Sequence, residues 1–251
     1  MEYLVICSVA LLASALTFFS GFGLGTLLLP AFALFSPIEQ AIAMTAVVHF
    51  LNGLFKLALV GRHANHDVVL RFGLPAVAAS LLGAWVLAWL AAVPPLFSYQ
   101  ALGRVVAVTP VKLVIGLLLL MFAALELAPR FRALSFGPRH LPVGGAISGF
   151  FGGLSGMQGA LRSAFLSRAG LTKEAFIGTG VLIACMIDIS RLGIYSRSLA
   201  TQATHLDYSL LSATVLSALL ARPSATCTST SSPCQAYSDW SPSGCWWSRW
   251  H

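Results

Sequence analysis

The sequence predicts an all-α, polytopic transmembrane helical bundle, and three observations predict it. Hydrophobic residues make up 57% of the chain and charged residues 9%, against roughly 25% charged residues in a soluble domain. Mean hydropathy is +0.84, and the apolar residues gather into about seven runs, separated by short polar loops, that read as spanning helices. Finally, a glycine-rich pattern occurs twice. It reads Ser20-Gly21-Phe22-Gly23-Leu24-Gly25 on to Pro30, and again Ser148-Gly149-Phe150-Phe151-Gly152-Gly153-Leu154-Ser155-Gly156-Met157-Gln158-Gly159.

Residues 3 to 36 are apolar and would extend roughly 50 Å as one helix, too far for a hydrocarbon core of about 30 Å. Glycine costs a helix interior about 1 kcal/mol and proline about 3. The run is therefore expected to bend or break at Gly21, Gly23, Gly25 or Pro30. A second span, 38 to 60, carries His49, Asn52 and Lys56, and Arg62-His63-Ala64-Asn65-His66-Asp67 is the first charged loop. The third span, 70 to 93, holds Trp85 and Trp89 near its end, where indole rings favour the interface, and Pro94-Pro95 closes it. A loop through Ser98 and Arg104 leads to a fourth span, 110 to 127. The basic connection from Pro129 to His140 divides the halves. A fifth span (142 to 168), a sixth (175 to 195, with Asp188 and Arg191) and a seventh from Tyr208 to Leu220 complete the count.

The net charge of +7 sits in loops and at helix ends rather than on one face, which excludes nucleic acid as a partner and fits topology instead. Counting spans puts loops 61–71 and 129–140 on one side, cytoplasmic by the positive-inside rule. Met1-Glu2-Tyr3 has no basic n-region and the run after it exceeds a signal peptide's apolar stretch, so a retained helix is expected. The five cysteines show no metal-ligand spacing. No Walker loop and no nucleophile with a base is present, so no enzyme, metal or cofactor is expected.

The halves align beyond the glycines. Glu39-Gln40-Ala41 and Thr45 lie over Lys173-Glu174-Ala175 and Thr179, and Lys56 lies beside Arg191. The expected organisation is 1–128 as a first transmembrane repeat plus a linking helix, 129–221 as a second repeat, and 222–251 as an atypical tail. Duplication with Gly-interrupted helices in corresponding places points to a transporter substrate site. On these residues, Gly21-Phe22-Gly23-Leu24-Gly25 with Pro30, Gly149 to Gly156, and the Glu-Ala and threonine positions that follow each copy, the chain resembles the TauE/SafE family of sulfite exporters and related anion permeases. The resemblance implies a bacterial inner-membrane transporter of small sulfur-containing or organic anions.

The candidate substrate-binding residues are Lys56, Arg191, Thr45, Thr179, Gly23, Gly25, Gly152, Gly153, Ser155 and Gln158. Two cations in equivalent places would bait an anion, at a cost of roughly 2.5 to 3.5 kcal/mol each at bilayer depth; alternatively both snorkel to the headgroups. The hydroxyls, the amide and the backbone freed beside glycines could donate to an anion; alternatively the glycines only allow tight packing. Asp188, three residues before Arg191 and so on the same helix face, and His49 are the proton-coupling candidates, with structural neutralisation and interhelical hydrogen bonding as the plainer readings. Arg162 is read as a topological anchor. The partners expected are a small anion and the lipid bilayer, with self-association left open; a non-transporting membrane scaffold is the alternative function.

Family members end on a further apolar helix, whereas here Leu220-Ala221 runs into Arg222-Pro223-Ser224. The last thirty residues hold eight serines, three of the five cysteines and four of the six tryptophans. This composition reads as a shifted frame that has cost an eighth span, with an interfacial Trp-rich tail as the alternative. Sequencing the coding DNA past the Leu220 codon decides it: a second frame spelling an apolar helix is expected, and its absence discards the frameshift.

Overall fold

The first helix, α1 (Glu2–Ser20), ends where the glycines begin, and α2 (Leu24–Ala33) starts after Gly23. Gly23 has φ 111°, a left-handed conformation that L side chains resist, so the long apolar run is broken there. Pro30 lies inside α2, late in a short helix, and does not interrupt it. The computed structural model describes residues 2–20, 23–101, 104–127, 136–202 and 207–220. Gly21, Phe22, most of the basic connection and the tail 222–251 lie outside the described residues.

Then come α3 (Ile38–Val60) and a single 3-10 turn, Gly61–His63. Asn65 caps the next helix by accepting the Asp67 and Val68 N–H groups at 3.1 Å. That helix, α4, runs His66–Ala92 with a π-helical turn at Val69–Gly73. A hairpin of β1 (Phe97–Ala101) and β2 (Arg104–Val108), antiparallel with Phe97 opposite Val108, departs from the all-α expectation. Its Phe97 and Tyr99 are exposed. The helices α5 (Pro110–Leu127), α6 (Leu141–Ser155), α7 (Gly159–Leu166), α8 (Lys173–Gln202) and α9 (Tyr208–Leu220) follow. Among the described residues three helices are long and apolar enough to cross a membrane, Ile38–His63, His66–Ala92 and Lys173–Ser196; α1, α2, α5 and α9 contribute shorter apolar segments.

Lipid gives helices no hydrophobic reason to associate, so close packing must supply it. The most extensive contact is α4 on α6, and glycine makes it possible. A Cβ at Gly145, Gly149 or Gly153 would overlap the carbonyl oxygen of Phe72, Ala76 or Ser80, and one at Gly83 would overlap that of Phe150. Both series step by four residues, so two helix backbones lie directly against each other for two turns. Elsewhere α1 packs on α9, α3 on α8, α2 on α3 and α8 on α4.

Two apolar clusters hold these contacts. One joins α1, α2, α3 and α5 through Ile6, Leu28, Phe32, Ile42, Ile115 and Phe122. The other joins α4, α6, α7 and α8 through Phe72, Leu141, Phe165, Ile183 and Ile187. Gly149→Leu is expected to lose about 3 kcal/mol or more through overpacking at the α4 backbone, read as a lower melting temperature or loss of a monodisperse peak. Gly116→Leu, which adds a side chain where nothing lies within 4 Å, should leave both unchanged.

Candidate functional site

The second long glycine run also breaks. Gly156, with φ 81°, caps α6, and α7 restarts three residues later. The two breaks touch: a Cβ on Gly25 would stand 3.0 Å from the Gly156 carbonyl oxygen. Around this contact lies a cavity of about 20 Å³ lined by Gly23, Gly25, Thr26, His49, Phe122, Gly156, Met157, Gly159, Ala160 and Arg162. That is room for one water-sized occupant.

Both short helices start at the cavity. Leu27 N–H bonds to the Gly23 carbonyl at 3.1 Å and Arg162 N–H to that of Gln158 at 3.0 Å. The N–H groups before them in α2 and α7 therefore have no acceptor within their own helix. Two helix N-termini, each carrying about half a positive charge, face one small space, with Gly25, Thr26, Gly159 and Ala160 on its wall.

Behind that wall sits a buried charge cluster. Asp188 on α8 is fully buried and holds two partners. Arg191 Nε donates to Asp188 Oδ1 at 2.9 Å, with Nη2 also 2.9 Å from that oxygen. His49 Nδ1 lies 2.6 Å from Oδ2; an ionised carboxylate only accepts, so this nitrogen is then the donor. His49 lines the cavity and touches Asp188, making it the link between the space and the buried pair. Gly53 stands against Cys185 while His49 meets Asp188, so α3 and α8 pass antiparallel. On that register Thr45, one turn before His49, falls level with Arg191 and Leu192.

Several buried polar atoms at this level lack a hydrogen-bond partner among the described residues: Arg191 Nη1, the Gln158 amide nitrogen and oxygen, and the Thr45 hydroxyl. Each such group costs about 1 to 3 kcal/mol if nothing meets it. Arg191 Nη1 occupies the space in front of Gly156 where a side chain would be, and the Gln158 side chain packs beside Gly152 and Ile187. Two interrupted helices, two dipole ends and a buried guanidinium with an open N–H form an anion-receptive centre inside an apolar bundle.

The sequence profile of the sulfite exporter TauE/SafE family matches residues 6–229. The chain belongs to that family. Its members are transporters, and this TauE/SafE protein is accordingly a membrane protein of the exporter kind. No curated protein and no solved structure matches it. The matched stretch takes in both breaks, the charge cluster and α9, and runs past Leu220 into the first residues of the tail.

Within this TauE/SafE chain the sequence-predicted residues do not all meet. Arg191, Gln158, Gly23 and Gly25 stand at or directly behind the breaks. Arg191 is 1% exposed and does not reach the headgroups. Lys56 is not its structural equal: it is half-buried, and its Nζ donates to Thr17 Oγ1 at 3.2 Å near the end of α1. Thr179 accepts the Asn65 N–H at 2.9 Å and so anchors the α3–α4 loop. The Ser155 hydroxyl donates to the Phe151 carbonyl within α6, Gly153 packs on Ser80, and Gly152 packs on Gln158 and Ile187. Sequence reasoning missed Arg162, which is buried on the cavity wall rather than anchored at a surface. The signal was available: a cation inside an apolar stretch, one turn beyond a helix break.

Removing one member of a buried ion pair leaves the other desolvated and alone, at about 3 to 5 kcal/mol. Asp188→Asn is expected to lower thermal stability strongly, and Asp188→Asn with Arg191→Met to recover a large part of the loss. Melting of the purified variants checks the sign of that coupling.

Proposed function

We propose that this protein is a secondary transporter of small sulfur-containing or organic anions, such as sulfite, sulfonates or carboxylates, across the bacterial inner membrane. The observation that carries the reading is the meeting of two helix N-termini and a buried guanidinium at one small cavity. Broken helices whose N-terminal ends point at an anion are the membrane form of a helix-terminus anion site. In the alternating-access cycle proposed here, one half rocks against the other and opens this small cavity to each side in turn.

The two-repeat reading draws support from the contacts. Exchanging α1, α2, α3 and α4 for α6, α7, α8 and α9 turns the α1–α9 contact into α6–α4, α3–α9 into α8–α4, and α2–α3 into α7–α8, all of which occur. The broken pair plus its partner helix in each half then counts toward seven crossings, with 1–128 and 129–221 as the repeats. Proton coupling through Asp188 and His49 is the finer part of the proposal. His49 meets the cavity on one side and Asp188 on the other, so a proton taken up at the cavity changes the charge facing the anion and the hold on Asp188 together. The scaffold alternative rests on the α4–α6 seam, where Gly145, Gly149 and Gly153 serve packing; that seam does not account for charges buried away from it.

Reconstitution in liposomes tests the reading. Sulfite is expected to move down an imposed pH gradient, and Arg191→Gln to cut the rate by about tenfold or more, the loss of roughly one charge-assisted hydrogen bond. His49→Gln should remove the response to the gradient while anion exchange persists. A folded wild-type protein that moves no sulfite, sulfonate or carboxylate would return the chain to the scaffold alternative.

A further inference from the structure

We propose that the end of the bundle where α4, α6 and α8 begin is a binding surface for anionic phospholipid headgroups. Three connections that lie far apart in the sequence are gathered there: 61–71 between α3 and α4, 136–141 leading into α6, and 167–173 between α7 and α8. Packing brings them together. The Asn65 N–H donates to Thr179 Oγ1 at 2.9 Å, and a Cβ on Gly178 would stand 2.6 Å from the Val60 carbonyl oxygen, which seats the first connection on α8. The Phe136 ring stacks on Phe165 with centroids 4.3 Å apart, and its N–H bonds to the Ala164 carbonyl at 3.3 Å. The second connection thus folds over the end of α7, from which the third departs. Beneath all three, Val68, Leu141 and Leu166 share one apolar cluster, with Phe136, Leu171 and Phe176 packed against it.

The charge at this end is of one sign. Arg62, Arg71, Arg139, Arg168 and Lys173 are exposed there. Two carboxylates accompany them: Asp67, paired with Arg71 at 3.2 Å, and the half-buried Glu174. The opposite end differs. Tyr3 donates to Asp207 Oδ2 at 3.0 Å, which sets the starts of α1 and α9 side by side, and the charged side chains described at that end are Glu2, Glu39, Asp207 and Lys112.

Depth singles out a lipid headgroup over a soluble polyanion. Leu70 and Leu74 flank Arg71 on α4, and Val143 follows Arg139 within a turn; all three apolar side chains are exposed. Cations at the rim of an exposed apolar helix face stand at the level of the phosphates once that face lies in hydrocarbon. Each Lys or Arg so placed raises affinity for an anionic surface by about fivefold, within a Debye length of about 10 Å at 0.1 M salt. Because 61–71 belongs to the first half of the chain and the other two connections to the second, headgroups held there bridge the halves. The assignment stands whether or not the chain moves an anion.

The test uses the full chain in phosphatidylcholine vesicles that carry a trace of spin-labelled phosphatidylglycerol or of spin-labelled phosphatidylcholine, and electron spin resonance reads the ratio of their association with the protein. A preference of about threefold or more for phosphatidylglycerol is expected at low salt, shrinking toward parity as salt is raised. Arg62→Gln, Arg139→Gln, Arg168→Gln and Lys173→Gln combined should bring the ratio close to parity, while Lys112→Gln at the opposite end should leave it unchanged. Parity in the wild type, or the full preference in the folded combined variant, overturns the proposal. If the combined variant loses its monodisperse peak, the four single variants are read instead; each is expected to lower the preference, and four unchanged ratios overturn the proposal too. Displacement of the labelled lipid by sodium phosphate beyond that by sodium chloride of the same ionic strength, or by duplex DNA, assigns the patch to a soluble anion and overturns it as well. Sulfite flux does not enter the readout, so failure here and failure of the transport reading are told apart.

Discussion

A helix interrupted within a bilayer strands backbone N–H groups that lipid cannot satisfy, and the rest of this structure follows from where those groups are put. Irregular backbone at membrane depth is tolerated only where protein or a cavity receives it. Here the two interruptions, at Gly23 and Gly156, are set against each other, so that the starts of α2 and α7 share one space. Glycine is required at both points by the positive φ, and at Gly25 by the approach of the Gly156 carbonyl. Pooling two positive dipole ends in an apolar surrounding creates a demand for negative charge.

Part of that demand is met by a carboxylate of the bundle itself. Asp188 is buried beside the breaks, and its two oxygens are divided between His49 and Arg191. The carboxylate is held by these neighbours, and it fixes the guanidinium so that one edge lies over Gly156. Behind this cluster the α4–α6 seam sets the position of α6, and with it Gly156, by backbone contact that tolerates no added carbon. Packing places the turn, and the turn places the positive ends. Each level depends on small residues at the one beneath it.

How much of this was legible depends on whether a feature is local. The break in residues 3–36 was legible because a run too long for the bilayer and a glycine cluster both lie in one stretch, though only the structure chose Gly23 over Pro30. Asp188 and Arg191 could be paired on one helix face from their spacing. The hairpin at 97–108 reads as a loop in the sequence, because the pairing of Phe97 with Val108 joins two short segments and neither segment by itself shows its strand partner. Lys56 and Arg191 looked equivalent by alignment, yet one reaches Thr17 and the other is enclosed with Asp188. Arg162 looked like an end anchor because depth was counted along a helix that in fact restarts at Gly159.

By itself the sequence determined that the protein is a helical membrane protein with two glycine-interrupted runs and a family likeness to anion exporters, because composition, run length and glycine spacing act over a few turns of one chain. Only the tertiary structure decided that the two interruptions abut, that Arg162 faces the space between them, and that His49 joins that space to Asp188. Those facts depend on which helices lie side by side, and helix association in lipid is settled by surface fit between distant segments, which no single stretch of sequence contains.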